Sequence, residues 1–181
     1  MILNDPLTGN AVRVTKDGEQ LSLAVSEAEI EFVSHEKGLA FIATSTYSAT
    51  GGEEILSIRN DNADLDMIVQ NITVSTSASG VFTLFEMTTG QTPAGTTVTP
   101  VNLNLGSAVV AQATCFGNAS VTGSLSGTTL TAHDVGTSTP YTFDLHTALI
   151  IPKDSTIVLQ AATTGVVYAD IVFYYASKIA F

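Results

Sequence analysis

Two apolar runs with a period of two, set on either side of a small polar turn, limit what this chain can fold into more than any other feature. They occupy residues 66–88, DMIVQNITVSTSASGVFTLFEMT. In the first run Ile68, Ile72 and Val74 share a parity with Gln70, while Met67 and Val69 share the other with Asn71, Thr73 and Ser75. After Ser77-Ala78-Ser79-Gly80, Val81, Phe85 and Met87 take one parity and Phe82 and Leu84 the other. Alternation of this kind marks strands that pack a face on a core, and the pair reads as a β-hairpin. Apolar residues on both parities place it centrally, in a sheet covered on at least part of both faces.

The same pattern recurs along most of the chain. LAFIATSTYS (39–48), EEILSIRN (53–60, with Leu56 and Ile58 inward), TLTAH (129–133), YTFDLHTALIIP (141–152), TIVLQAAT (156–163) and VVYADIVFYYAS (166–177) all read as strands. In the last of these Val167, Ala169, Ile171, Phe173 and Tyr175 share one parity. About eight or more strands at near-regular spacing imply an all-β chain, an antiparallel two-sheet sandwich of jelly-roll type. Residues 90–100 read as a loop and 116–127 as a Gly/Ser loop, and 101–113 as a strand followed by a short Ala-rich helical turn.

Residues 1–25 read as an arm. Turn chemistry at Asn4-Asp5-Pro6, Thr8-Gly9-Asn10 and Asp17-Gly18 separates two short alternating pieces, around Val12 and Val14 and around Leu21, Leu23 and Val25. Such pieces are too small to enclose a core, so they are expected to add to a larger sheet, either this subunit's or a neighbour's. In residues 26–38 the alternation of Glu27, Glu29 and Glu31 with Ala28, Ile30 and Phe32 fits a strand. The end signals favour a short helix instead: Ser26 and Glu29 form a capping box, His35 and Lys37 fall in the last turn, and Gly38 follows. The expected division is therefore an arm with a short helix over 1–38 and a sandwich domain over 39–181.

Charge decides the class of partner. Seventeen acidic against six basic residues give a formal net charge of −11, which opposes nucleic-acid binding, because counterion release from a phosphate backbone needs Lys and Arg. The charge is also uneven: from Met87 through His133 there is no Asp, Glu, Lys or Arg. Only 13% of the residues are charged, about half the usual share in a soluble protein. Burial of the uncharged surface between copies of the chain is the expected remedy. The N-terminus shows neither the basic nor the apolar region of a signal peptide, and no apolar run approaches a membrane span, so synthesis in a cytoplasm and no membrane partner are expected.

Sites for chemistry are sparse. Asp61, Asn62, Asp64 and Asp66 could gather around a calcium ion, but the run lacks the glycine and the distal bidentate Glu of an EF-hand loop, and reads first as a turn built on Asn and Asp. His35, His133 and His146 have no helical metal-binding spacing. GSLSG (123–127) carries Leu125 where a nucleophile elbow needs serine. Glu53, Glu54 and Glu86 are the carboxylates that could meet in space for glycoside cleavage, though nothing local favours it. The lone Cys115 allows no intrachain disulfide and reads as a small buried apolar residue. There is no Trp to serve as a sugar platform, and Tyr168, Tyr174 and Tyr175 lie in an alternating run that reads as core and sheet surface. The expectation is a non-enzymatic protein with no catalytic residue, no cofactor and no metal.

Four segments carry a family resemblance: Asn4-Asp5-Pro6-Leu7-Thr8-Gly9; residues 26–41, ending His35-Glu36-Lys37-Gly38-Leu39-Ala40-Phe41; the strand at 54–60; and Thr99-Pro100-Val101-Asn102-Leu103-Asn104-Leu105-Gly106-Ser107. With them the chain resembles the capsid decoration, or cement, proteins of tailed bacteriophages and the related bases of head fibres. That resemblance implies a jelly-roll-like domain that assembles as a homotrimer on the outer face of an icosahedral head. Its partners would be its own copies, the major capsid protein and, in some cases, a head fibre, and its location the virion. It transfers no catalytic residue. A tail-fibre, receptor-binding or carbohydrate-binding sandwich module is the alternative on the same fold.

Overall fold

A computed structural model describes residues 2–4, 11–14, 20–21, 33–88, 91, 93–119, 125–143, 145 and 149–177; for 2–4, 11–14, 20–21, 35, 36, 118, 119 and 177 it describes the backbone alone. Three short strands open the chain, β1 (Ile2–Asn4), β2 (Ala11–Val14) and β3 (Gln20–Leu21). They form an antiparallel sheet of their own, with Leu3 opposite Val12 and Arg13 opposite Leu21. Of the two sheets expected to receive the arm, this subunit's own does not do so among the described residues, which leaves a neighbour's. A third strand at Ile2–Asn4, where the sequence suggests only turn chemistry, pairs with the middle one instead.

Of the helix expected over 26–38, residues 26–32 lie outside the described residues, and the rest is one wide turn, Val33–Lys37. Its end is where the sequence puts it. Gly38 takes a positive φ of 60°, its amide donates to the Ser34 carbonyl at 3.1 Å, and the Leu39 amide donates to Val33 at 3.2 Å.

The body is a sandwich of two antiparallel sheets. Its long strands are β4 (Ala40–Ala49), β5 (Glu53–Asn60), β6 (Leu65–Thr76), β7 (Gly80–Met87), β10 (Ala113–Ala119), β11 (Gly127–Val135), β14 (Thr156–Ala162) and β15 (Gly165–Ser177). Short strands β8 (Thr96–Val98), β9 (Val101–Asn102), β12 (Tyr141–Thr142) and β13 (Leu149–Ile151) complete it. One sheet runs β11-β7-β14-β5-β10-β8 and the other β12-β6-β15-β4-β9, with β13 also on β6. Without β8, β9 and β10 the orders are β5-β14-β7-β11 and β4-β15-β6-β12/β13, which is the jelly-roll arrangement of strands that alternate between two sheets.

This corrects the hairpin reading of residues 66–88. β6 and β7 are both interior strands, as expected, but they lie in opposite sheets. The turn between them is a corner, tied to the neighbouring corner between β14 and β15. The Ser77 amide donates to the Val166 carbonyl at 2.9 Å, the Val166 amide returns to Ser77 Oγ at 2.8 Å, and Thr163 Oγ1 donates to the Ala78 and Ser79 carbonyls. Alternation reports that a strand is half buried and is silent on which strand it pairs with.

A bulge explains the mixed parity of β6. Opposite β15 the register slips at Gln70, since Asn71 faces Val172 and Val69 faces Phe173. Met67 and Val69 therefore point to the core before the slip, and Ile72 and Val74 after it; all four are buried in the central cluster. Ile68 falls outward and packs with Val33, Ala40 and Tyr174 beneath the helical turn. Between the sheets Phe41 stacks on Phe173 at 5.6 Å between ring centroids, and Tyr175 meets both rings edge-on.

The charge-free span is largely one insertion, between β7 and β11. Its strands β10 and β8 extend one sheet past β5, and β9 extends the other past β4, so the insertion closes one side of the sandwich. Two expectations fail here: no helical turn follows β9, and a strand, Ala113–Ala119, runs into the segment read as a Gly/Ser loop. At Gly117 of this strand the two sheets come close. A Cβ on Gly117 would lie 2.5 Å from Ser45 Oγ of β4.

Candidate interaction surface

The insertion also carries the exposed apolar side chains. Of the nine large hydrophobic residues exposed among the described residues, five are Val101, Leu103, Leu105, Val109 and Val110. Leu105 is 88% and Val110 78% exposed, so the clustering is not a set of partly covered core residues. Loops at a protein surface are usually polar, so a loop with this many exposed apolar side chains is a candidate interaction surface.

Side-chain amides hold this loop in shape. Asn102 Nδ2 donates to the Gly38 carbonyl at 2.7 Å and to the Val109 carbonyl at 2.9 Å, while Asn102 Oδ1 accepts the Asn104 amide at 2.9 Å. Asn104 Nδ2 reaches the Ser34 carbonyl at 3.2 Å, and its Oδ1 accepts from the Gly106 amide. Ser107 closes the far end, its Oγ accepting the Val109 amide at 3.1 Å. With polar side chains turned inward onto backbone groups, the apolar ones are left facing out. The sequence reads Asn102 and Asn104 as punctuation; nothing in it signals that they fasten this loop to the helical turn.

The carboxylates proposed from the sequence do not converge. Glu53 is buried and folds back on its own corner, accepting the amides of Thr50 and Gly51 and the Thr50 hydroxyl. Although burial acts to raise its pKa, these hydrogen bonds hold it below the ordinary value. Glu54 faces the other way. The β5 register slips at Ile55, so that Ile55 and Leu56 both enter the core and Glu54 turns from it. It is 3% exposed, and burial pushes its pKa up to about 7, with a backbone hydrogen bond from Leu125 pulling the other way. Leu125 belongs to a strap in which the Thr88 amide donates to Ser126 at 2.8 Å and the Ser126 amide to Gln91 Oε1 at 2.9 Å. Glu86 is exposed on β7, with β14 between it and β5.

The other candidates take scaffold roles. Asn62 Oδ1 accepts the amides of Asp64 and Leu65, Asn60 Oδ1 accepts that of Asn62, and Asp61 pairs with Arg59 at 2.8 Å, so 61–64 is a turn held by amide side chains. No cluster of metal-ligating side chains occurs among the described residues. His133 lies against Tyr141 and Phe143, its ring bonded to Thr131 Oγ1 at 2.9 Å. The His35 side chain, His146, Gly123 and Ser124 lie outside the described residues, while Gly127 starts β11 with no room for a Cβ beside the Glu86 carbonyl. Cys115 is fully buried, and burial, aided by the Asp61 charge, raises its thiol to about 12. Tyr174 and Tyr175 are buried, and Tyr168 is 52% exposed on β15. A cleft of about 80 Å³ beside Glu86, Leu130, Ile150 and Thr156 is far smaller than the roughly 300 Å³ at which small-molecule sites begin.

No family model, curated protein or solved structure matches this chain.

Proposed function

We propose that this chain is a structural virion protein that decorates and stabilises the outer surface of a tailed-phage head as a homotrimer, without catalysis or cofactor. The observation that carries the reading is the pairing of a strongly acidic chain with a charge-free insertion whose exposed side chains are apolar. Depletion of charge with enrichment of apolar groups is the mark of an interface core. A net charge of −11 is tolerable outside a head and unfavourable beside packaged DNA. The resemblance described above adds the virion context and the major capsid protein as partner.

On this reading the arm, residues 1–25, serves attachment. Its strands form a sheet apart from the sandwich, suited to strand addition by a neighbouring protein. The test is co-sedimentation of the purified chain with undecorated heads of the phage that encodes it. Saturable binding to heads is expected, with a chain beginning near Ser26 binding far more weakly. Failure of the full chain to bind heads, or binding to tails alone, would remove the reading.

A further inference from the structure

We propose that the apolar loop at residues 101–110 is the surface on which a second copy of this chain docks. The proposal rests on the reading of the chain as a self-assembling virion protein, and it names the residues through which assembly occurs.

The first support is the form of the loop. Leu103, Leu105, Val109 and Val110 face outward from a backbone fixed at both ends, by Asn102 and Asn104 to the helical turn and by Ser107 to Val109. A loop already held in one shape loses little freedom on docking, so its apolar area is available to drive association.

Charge selects the occupant. At −11, two copies repel one another on most approaches, and the contact that avoids this joins surfaces without charge. Residues 88–132 contain no ionisable acid or base apart from Cys115, which is buried. At the border of the loop lie Glu36 and the exposed Lys37, both within the helical turn, and Asp61, which is ion-paired with Arg59 and donates its amide to the Gln112 carbonyl at 3.0 Å. The loop itself offers a strongly charged partner nothing to pair with, whereas a second copy brings an equally neutral and apolar patch. In closed symmetry such a patch can serve every subunit.

The test uses the full chain. Val110→Asp and Leu105→Asp alter side chains that are largely in solvent in the single chain, so circular dichroism should match the wild type, as should thermal unfolding at concentrations below the association range. Each should weaken self-association, followed by sedimentation, about a hundredfold or more, because an unpaired charge would be buried at the contact. Val110→Cys adds the only accessible thiol, since Cys115 is the single cysteine and is buried. Its labelling by a maleimide should slow as protein concentration rises through the association range, while that of Thr164→Cys, on the distant β14–β15 corner, should not. A wild type that stays monomeric, Asp variants that assemble like the wild type, or a thiol protected only when heads are added would each overturn the proposal. The last result would assign the loop to the shell. Head binding by the wild type, measured alongside, tests the decoration reading separately: an oligomer that ignores these variants yet binds heads ends this proposal alone.

Discussion

Gly38 stands so close to Ser107 that a Cβ on Gly38 would overlap Ser107 Oγ. The contact brings the end of the helical turn against the apolar loop, and it is possible only for a residue with no side chain at a φ of +60°. Gly38→Ala should therefore strain the backbone and push the loop away, at a cost of about 1–3 kcal/mol. Chemical denaturation would measure the loss, and adding Ser107→Gly should recover part of it. Equal stability of Gly38→Ala and the wild type would contradict the packing described.

Asn102→Asp keeps the acceptor for the Asn104 amide and removes both donors, setting a carboxylate beside the Gly38 and Val109 carbonyls. The expected cost is about 2 kcal/mol. Faster hydrogen exchange should appear at the Asn104, Gly106 and Val109 amides, with the sandwich strands unchanged. Unaltered protection of those three amides would show that Asn102 does not hold the loop.

Glu54 and Glu53 set opposite pH dependences. The folded-state pKa of Glu54 is raised to about 7, so between its unfolded value, near 4.5, and 7 the folded chain binds more protons than the unfolded one. Stability should fall as pH rises through that window, by on the order of 2 kcal/mol. The pKa of Glu53 is lowered, so its contribution is present above the unfolded value and is lost as pH falls through the folded one. Denaturation midpoints should therefore peak on the acid side of neutrality, and Glu54→Gln should flatten the decline toward pH 7. A Glu54→Gln profile that overlays the wild type would contradict the buried carboxyl.

Gly117→Ala tests how the insertion closes the sandwich. The added methyl would meet Ser45 on the facing strand, and overpacking of this kind costs about 1–3 kcal/mol. Ser45→Gly should relieve much of it in the double variant, a coupling that a thermodynamic cycle would read. Additive effects would mean that the two residues do not touch.

How much of this was legible in the sequence depends on which physical signal each feature leaves. The parity of Val167, Ala169, Ile171, Phe173 and Tyr175 is a direct record of burial, and all five are core residues. The mixed parity of β6 also told the truth about burial, but the slip at Gln70 that produces it has no signature of its own. Strand partners were hidden, because Ser77 and Val166 bond across long sequence separation and a polar corner looks like a polar hairpin turn. β10 was missed since Ala113, Gly117 and Ala119 are poor strand formers, and at Gly117 the closeness of Ser45 leaves no room for a side chain. For the candidate surface, the absence of charge was plain in the sequence. Which apolar residues face solvent was not, because that is set by where the amides of Asn102 and Asn104 find their partners.

The central claim is that the charge-free insertion is an association surface, and the mass of the purified chain in solution tests it most directly. Sedimentation equilibrium at micromolar concentration should find a discrete homotrimer, three times the 18.8 kDa chain. A single species at 18.8 kDa across the accessible concentrations would contradict the account.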